Sequence, residues 1–227
     1  MNKVVDNVKR YERKWIFNNT NLFFLINALL RSKFLFNFQY EKRKVNSLYF
    51  DDINYTSIRE NLDGVSEKRK YRIRWYGKKN IITNPNFEIK SKKIFETKKE
   101  IFILKEIDKL SILEKKNLDK IKDLINNKFK LKKKIFPLLT THYDREYFIS
   151  SNKLIRATLD YNLQSRSLNY KIDSNILRNY YSNITLEIKY DTDLDEYVRN
   201  NLKSISSRLS RNSKFVNSAI LEPFCYS

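Results

Sequence analysis

Charged residues occupy every second position in four short stretches of this chain, and most residues between them are bulky and apolar. The charged members are Arg10, Glu12 and Lys14; Arg72 and Arg74; Glu88, Lys90 and Lys92; and Glu187 and Lys189. Because successive side chains of a β-strand point to opposite faces, each stretch predicts a strand with one charged and one buried face. A fifth stretch has Arg156, Thr158 and Asp160 on one side. Charged strand faces of mixed sign favour a surface that holds a multiply charged ligand.

The composition indicates a folded protein with a polyanionic partner. The chain has 227 residues, of which 41% are hydrophobic, and a formal net charge of +20. This length and regular apolar pattern predict one domain over 1–227. The surplus charge favours nucleic acid, an anionic membrane surface or phosphate chains as partner. Part of the lysine excess is typical of AT-rich genomes, so the arginines of the patterned stretches are more informative.

The single cysteine limits both the compartment and the kinds of metal site. Cys225 has no second cysteine in the chain, which excludes an internal disulfide and a cysteine-based zinc cluster. We therefore expect a cytoplasmic protein. The first residues are polar, and the most apolar segment, 22–36, is interrupted by Asn27, Arg31 and Lys33. We expect neither a signal peptide nor a transmembrane segment.

Apolar periodicity divides the chain into strands and a few helices. The predicted strands are 8–17, 45–50, 67–76, 87–93, 98–104, 140–149, 153–163, 165–172 and 184–190. The predicted helices are 20–36, which Thr20 or Asn21 caps, 55–62 and 194–206. A helical period over 108–134 predicts a helical insertion or lid. The segment 211–220 fits no single class.

An antiparallel sheet with one apolar and one charged face has two common solutions. Helices cover the apolar face of an open sheet while the charged face meets water, or the sheet closes with its charges inside. We favour an α+β fold: a closed antiparallel eight-stranded tunnel barrel with helices packed on the outside. Like charges about 6 Å apart at an effective dielectric near 20 repel by roughly 3 kcal/mol, so a cationic interior needs a bound polyanion. Glu12, Glu88 and Glu187 are candidate ligands for a divalent cation that bridges phosphates.

Nine segments, in this order, resemble a known family. They are RYERKW at 10–15, SLYFDD at 47–52, NLDG at 61–64, YRIRWY at 71–76, FEIK at 87–90, YDREYF at 143–148, IRATLDYNL at 155–163, LEIKY at 186–190 and RNSKF at 211–215. Together they resemble the catalytic domain of the VTC (vacuolar transporter chaperone) family, a polyphosphate polymerase of the triphosphate tunnel metalloenzyme superfamily. The resemblance implies that ATP, with Mn²⁺ or Mg²⁺, gives its terminal phosphate to a growing polyphosphate chain inside the barrel.

The resemblance also assigns roles to individual residues. Phosphate-binding residues of the catalytic centre are Lys14, Arg72, Arg74 and Arg145. The resemblance implies further phosphate contacts at Lys90, Arg156 and Lys214, and we also predict substrate contacts at Arg10, Lys98, Lys189 and Arg211. Glu187 is the predicted metal ligand, and Glu12 and Glu88 are additional metal candidates.

Other functions stay open on the sequence alone. One alternative is an inorganic or nucleoside triphosphatase of the same fold. Hydrolases of the related CYTH branch begin with a strand of two alternate Glu and then Lys, whereas Arg10 stands here in place of the first Glu. A non-enzymatic polyanion-binding module is another alternative. We expect no specific nucleic-acid partner, because no RNA-binding motif accompanies the aromatic residues. A membrane-associated partner and any oligomeric state are compatible with the sequence.

Overall fold

The computed structural model describes residues 3–6, 10–93, 96–168, 178–179, 183–202, 209–210 and 213–220. Its strands are β1 (Lys3–Asp6), β2 (Arg10–Phe17), β3 (Asn37–Asp51), β4 (Lys68–Tyr76), β5 (Asn86–Lys93), β6 (Glu96–Ile103), β7 (Phe136–Ile149), β8 (Arg156–Ser167), β9 (Arg178–Asn179) and β10 (Ile184–Asp191). Its α-helices are α1 (Leu22–Leu30), α2 (Thr56–Leu62), α3 (Lys115–Phe129), α4 (Asp195–Leu202) and α5 (Lys214–Ile220). The architecture is therefore α+β, as predicted.

All of these strands belong to one antiparallel sheet. Its order is β1-β6-β5-β4-β3-β7-β8-β10-β2, with the two-residue β9 paired to β8. Apart from β1 and β9, every strand has eight residues or more, which gives the eight long strands that we expected. Within the described ranges, no backbone pairing joins β1 to β2, so hydrogen bonds do not close the sheet into a ring. The prediction of a closed barrel is confirmed only as an eight-strand antiparallel sheet with helices.

The apolar face of the sheet is buried beneath the helices. In one half of the molecule, α3 packs Leu118, Ile121 and Ile125 against the sheet residues Ile73 and Phe87. In the other half, α1 and α4 cover a second cluster, whose sheet residues include Trp15, Leu159, Leu186 and Ile188. Burying this face forces the alternate charged residues to the opposite, inner face of the sheet. The predicted helical period over 108–134 thus corresponds to a helix under the sheet.

Several predicted boundaries are wrong. The strands predicted at 45–50 and 140–149 begin earlier, at Asn37 and Phe136. Two other differences have local reasons. Helix α1 begins at the Asn21 cap, whose side chain accepts the Phe23 N–H at 2.8 Å, but it ends at Leu30 rather than at residue 36. Leu35 has a φ of 47°, a left-handed conformation that a helix does not contain. The predicted strands 153–163 and 165–172 form the single strand β8 up to Ser167, with Asn162 at a φ of 54°. Residues 169–172 lie outside the described residues.

The undecided segment near the end of the chain forms the short helix α5. It packs Phe215 and Ala219 against Tyr49 and Leu139 of the sheet. In this position it brings Lys214 and the preceding Ser213 to the inner face. Among the described residues, no helix combines the length and apolarity that crossing a bilayer requires.

Candidate functional site: a cationic groove

The charged strand faces converge on a pocket of about 800 Å³ that is partly open to solvent. Its walls carry eight cationic side chains against three carboxylates, so positive charge is in clear excess. The lining residues are Glu12, Lys14, Tyr49, Lys70, Arg72, Arg74, Glu88, Lys90, Tyr143, Arg145, Thr185, Glu187, Lys189, Ser213, Lys214 and Phe215. A pocket of this charge selects anions with several negative groups.

The arginines of β4 form one wall of the pocket. Arg72 donates from Nε to Glu88 Oε2 at 2.6 Å and from a terminal nitrogen to the Tyr49 hydroxyl at 3.3 Å. Lys99 reaches the other oxygen of Glu88 at 2.8 Å. Burial works to raise the pKa of Glu88, but Arg72, Arg74 and Lys99 hold it well below its usual range. The carboxylate therefore stays charged and fixes Arg72 toward the pocket.

Arg74 lies deeper along the same wall. It donates to the Tyr143 hydroxyl at 3.3 Å, and its buried Nε has no hydrogen-bond partner among the described residues. A buried donor without a partner is costly, and a bound anion satisfies it.

A buried carboxylate holds the opposite wall. Asp160 on β8 accepts two hydrogen bonds from Arg145, at 2.5 and 2.7 Å, and one from Lys214 at 2.5 Å. Burial works to raise the pKa of Asp160, yet Arg145 and Lys214 lower it to about 2. Both cations also lie over the Tyr143 ring, with Arg145 Cζ at 5.3 Å and Lys214 Nζ at 4.8 Å from its centroid. Asp160 thus holds two phosphate-binding candidates side by side.

Two glutamates meet on neighbouring strands at the end of the sheet. Lys14 Nζ lies 2.6 Å from Glu12 and 3.3 Å from Glu187, and Lys189 Nζ lies 2.6 Å from Glu187 and 4.0 Å from Glu12. Burial and the Glu187 charge work to raise the pKa of Glu12, but Lys90, Lys14 and Lys189 lower it to about 2. Both carboxylates are therefore ionised at neutral pH.

The glutamate pair has the chemistry of a divalent-cation site. Mg²⁺ and Mn²⁺ prefer oxygen ligands, and Mg²⁺ is often held by one or two carboxylates together with substrate phosphates. Glu12 and Glu187 supply such a pair, and lysines contact both of them. Glu88 is held instead by Arg72 and Lys99 on the wall formed by β4. No group of three or more acidic, histidine or cysteine side chains suited to a metal occurs in the part of the chain that the structure describes. A cation at Glu12 and Glu187 thus needs phosphate oxygens or water to complete its coordination.

Lys70 differs from the other lysines of the pocket. Lys14, Lys90, Lys189 and Lys214 each lie within 4.0 Å of a carboxylate. For Lys70, the described residues provide no such carboxylate, and its Nζ donates to Ser213 Oγ at 2.9 Å. Burial, together with Lys90, Lys14, Lys68 and Arg72, lowers its pKa to about 7.

The pocket continues into a wider opening at one end of the groove. This vestibule, of about 1500 Å³, shares Glu12, Lys14, Lys70 and Ser213 with the pocket. Lys68 and Lys92 extend its cationic wall, on the same faces of β4 and β5 as Lys70 and Lys90. The groove therefore has room for an anion longer than one triphosphate.

Most of the predicted site residues come together in the pocket. They are Lys14, Arg72, Arg74, Arg145, Lys90, Lys189, Lys214, Glu12, Glu88 and Glu187. Arg10 and Arg156 share the alternation of the inner face, but they do not line the pocket. Lys98 pairs with Ser91 on the outer face, and its neighbour Lys99 points inward to Glu88. Arg211 lies outside the described residues.

Two buried polar residues outside the pocket have structural roles. His142 lies on the outer face, where it bonds Asn46 at 2.8 Å, and burial, Lys79 and Arg166 lower its pKa to about 3. The Asp51 carboxylate accepts the Ser57 and Ile58 N–H groups at 2.9 and 3.0 Å and caps α2.

Sequence reasoning assigned no site role to several residues that the structure places in or beside the pocket. They are Tyr49, Lys70, Lys99, Tyr143, Asp160 and Ser213. Lys70 belongs to the same alternation as Lys68, Arg72 and Arg74, so the alternating pattern alone was enough to place it on the charged face. Asp160 was placed on a charged face, but its role depends on helix α5. Ser213 reaches the pocket only because α5 packs against the sheet.

Comparison with solved structures shows the fold. A candidate adenylate cyclase from Vibrio parahaemolyticus aligns with a TM-score of 0.54 and 13% identity over 94% of this chain and 99% of that chain. A candidate adenylate cyclase from Bacillus halodurans aligns with a TM-score of 0.51 and 18% identity, over 94% of this chain and 97% of that chain. A candidate adenylyl cyclase from Hippeastrum is described as having a dominant triphosphatase activity. It aligns with a TM-score of 0.53 and 16% identity, over 93% of this chain and 97% of that chain.

Sequence comparison identifies the family. No curated protein matches the chain. The sequence model of the VTC domain, however, matches residues 9–221, nearly the whole chain. This match agrees with the inward-facing cations and with the fold that the chain shares with these solved structures. The chain has the triphosphate tunnel fold and belongs to the VTC domain family.

Proposed function

We propose that this protein is a metal-dependent polyphosphate polymerase that transfers the terminal phosphate of ATP to a growing polyphosphate chain. The observation that carries the proposal is the continuity of the cationic groove. The pocket holds enough positive charge for one triphosphate, and the vestibule adds Lys68 and Lys92 beyond it. A polymerase needs this second anion-binding stretch for its acceptor, whereas hydrolysis of one triphosphate does not.

The proposed reaction requires the protein to position the two substrates and to neutralise their negative charge. A terminal oxygen of the acceptor chain attacks the γ-phosphorus of ATP, the bond from that phosphorus to the β,γ-bridging oxygen breaks, and ADP leaves. The attacking oxygen is already ionised near neutral pH, so no general base is required. Arg72, Arg145 and Lys214, which Glu88 and Asp160 hold in place, neutralise charge on the transferred group.

Mn²⁺ or Mg²⁺ is the proposed cofactor. Glu12 and Glu187 would hold the ion, which would neutralise charge on phosphate oxygens when bound. The ammonium groups of Lys14 and Lys189, which contact both carboxylates here, would then be released toward phosphate oxygens.

Product analysis tests the proposal. The purified protein, incubated with ATP and Mn²⁺, is expected to yield long polyphosphate and ADP. Arg72→Ala is expected to lose this activity. Arg69→Ala is the matched control, because Arg69 is exposed on the outer face of the same strand. Production of ADP without polyphosphate contradicts the proposal.

A triphosphatase is the second candidate, favoured by the activity described for the Hippeastrum neighbour. Orthophosphate as the sole phosphate product from ATP or tripolyphosphate identifies that activity. A polyanion-binding module without catalysis would show a higher melting temperature with tripolyphosphate and no product. Because ATP is the proposed donor, we also propose that the reaction takes place in the cytoplasm. A membrane-associated partner that receives the product stays a prediction.

A further inference from the structure

An arginine surrounded by tyrosines lies at the end of the groove away from the vestibule. Arg43 Cζ lies 5.1, 5.6 and 5.5 Å from the ring centroids of Tyr40, Tyr76 and Tyr147. Tyr40 and Tyr147 also meet edge to face at 5.7 Å. We call these four side chains the Arg43 cluster.

Strand order fixes the position of this cluster relative to the phosphate pocket. Along β4, Lys68 and Lys70 face the vestibule and Arg74 faces the pocket, and Tyr76 follows two residues further. On the paired strands, Arg43 of β3 lies opposite Arg145 of β7. On the inner face, the cluster therefore lies beyond Arg72 and Arg74 and level with Arg145, at the edge of the pocket.

Arg145 connects the cluster to the pocket directly. Its Cζ lies 5.3 Å from the centroid of Tyr143, a pocket residue, and 5.9 Å from that of Tyr147, a cluster residue. A molecule with phosphates at Arg145 and a further group extending out of the pocket on this side meets the tyrosines.

The cluster is exposed and has unused hydrogen-bonding capacity. The exposed fractions are 50% for Tyr40 and 38% for Tyr76, and Arg43 is exposed as well. Among the described residues, the Arg43 guanidinium has neither a carboxylate partner nor a hydrogen bond, and only the rings contact it. Burial of the rings therefore does not explain why they gather here. Flat aromatic and guanidinium planes with free N–H donors suit a planar heterocycle that bears acceptors.

The other end of the groove has different chemistry. The vestibule is lined by lysines, Glu12, small polar residues and aliphatic side chains, and none of its lining residues is aromatic. Point charges suit a flexible phosphate chain, whereas they offer no surface on which a base can stack. The two ends therefore differ in the part of a nucleotide that they fit.

We propose that the Arg43 cluster binds the nucleobase of the nucleoside triphosphate whose phosphates occupy the pocket. This inference rests on the proposed function, because it takes a nucleoside triphosphate as the donor. It adds a direction: the base lies at Tyr40, Tyr76 and Tyr147, and the acceptor chain lies toward Lys68 and Lys92. The enzyme consequently distinguishes ATP from tripolyphosphate by contacts outside the pocket.

Calorimetric binding of ATP and of tripolyphosphate, measured side by side, tests the base site. Tyr76→Ala is expected to weaken ATP binding about tenfold, the order of magnitude of one lost base-stacking contact, and to leave tripolyphosphate binding unchanged. Tyr76→Phe keeps the ring and is expected to bind ATP as the wild type does. Tyr11→Ala is the matched control, since Tyr11 is an exposed outer-face tyrosine with Arg13 5.8 Å from its centroid.

Two results overturn the base site. If Tyr76→Ala and Arg43→Ala leave the ratio of ATP to tripolyphosphate affinity unchanged, the cluster does not contact the base. If they weaken both ligands equally, the cluster belongs to the phosphate site. Thermal melting of the same variants without ligand shows that they are folded.

The outcome is separable from that for the proposed function. If the variants bind ATP more weakly but bind tripolyphosphate normally, the base site is supported. If the wild-type protein at the same time makes no polyphosphate, the polymerase is contradicted. Polyphosphate synthesis with an unchanged affinity ratio in the variants contradicts the base site alone.

Discussion

Lys90 on β5 and Glu12 on β2 lie 3.4 Å apart, Nζ to Oε2, although β4, β3, β7, β8 and β10 stand between their strands in the sheet. In a flat sheet, six spacings of about 4.8 Å separate such strands by about 29 Å. The contact therefore shows that the sheet curls until the inner faces of distant strands meet. This curl gathers the charges into a groove although no backbone hydrogen bonds join β1 to β2 within the described residues.

Lys90→Met separates the structural from the binding role of this contact. The side chains of Lys90 and Glu12 are 43% and 27% exposed, so we expect a loss of unfolding free energy below about 1 kcal/mol in urea denaturation. Tripolyphosphate affinity, measured by calorimetry, is expected to fall by about tenfold, because a charge-assisted contact is lost. Lys93→Met on the outer face is the control and should bind normally. Equal affinities for the two variants would exclude Lys90 from the phosphate path.

Asp160→Asn tests whether a buried carboxylate holds the cationic wall together. The substitution leaves Arg145 and Lys214 buried without their counter-charge, and we expect a loss of about 3 kcal/mol of unfolding free energy. Tripolyphosphate should then raise the melting temperature more than it does for the wild type. Asp123→Asn on the surface of α3 serves as the control. A variant as stable as the wild type contradicts this role.

The same carboxylate predicts a loss of stability in acid. Arg145 and Lys214 lower the pKa of folded Asp160 from 3.8 to about 2 despite its burial. A lowered pKa means that the unfolded chain binds the proton first, so this stabilisation is complete above about pH 4 and is lost as pH falls toward about 2. Urea denaturation between these values, compared with Asp160→Asn, isolates the contribution. Parallel pH curves for the two proteins would refute it.

The lowered pKa of Lys70 predicts that polyanion binding is coupled to proton uptake. Burial, with Lys90, Lys14, Lys68 and Arg72, lowers its pKa to about 7, so the amine is largely neutral at about pH 8. An anion favours the ammonium form and raises this pKa. We therefore expect tripolyphosphate affinity to increase as pH falls from about 8 to about 7. Calorimetry in buffers of different ionisation enthalpy measures the proton uptake.

Two variants attribute this proton uptake to Lys70. Lys70→Met removes the titrating group, so less proton uptake and a flatter pH dependence are expected. Lys70→Arg keeps the charge above pH 8 and is expected to bind tripolyphosphate there at least as well as the wild type. Undiminished uptake by Lys70→Met assigns the proton to another group.

Glutamine substitutions distinguish the metal ligands from the arginine anchor. Glu187→Gln is expected to raise the Mn²⁺ concentration for half-maximal activity by about tenfold or more. Glu88→Gln is expected to leave that concentration unchanged and to lower stability, because Glu88 holds Arg72 and Lys99. A similar shift of the Mn²⁺ dependence in both variants would place Glu88 at the metal together with Glu187.

Local pattern was sufficient for much of the fold. Alternation placed Arg72 and Arg74 on one face and Ile73 and Trp75 on the other, and the structure buries both apolar residues completely. Cap chemistry limited the start of α1 to Thr20 or Asn21, and the structure has Asn21 as the cap. The end of α1 was missed because apolar residues continue to Phe36, which packs in the core without being helical.

Local pattern was insufficient where the phase of a strand was ambiguous. The run Thr97, Lys98, Lys99 has adjacent lysines, so sequence alone does not say which one points inward. Pairing with β5 decides it: Lys98 lies opposite Ser91, and Lys99 lies opposite Lys90 on the inner face.

The sequence by itself determined which residues share a strand face, because side-chain alternation is a property of any extended chain. It also determined the family, through segments that are short and local. Only the tertiary structure decided which charges meet: Lys90 with Glu12, Lys214 with Asp160, and Lys14 with both Glu12 and Glu187. These contacts depend on the curl of the sheet and on where α5 packs. Both are set by burial of the apolar face over the whole molecule, which no single stretch of sequence encodes.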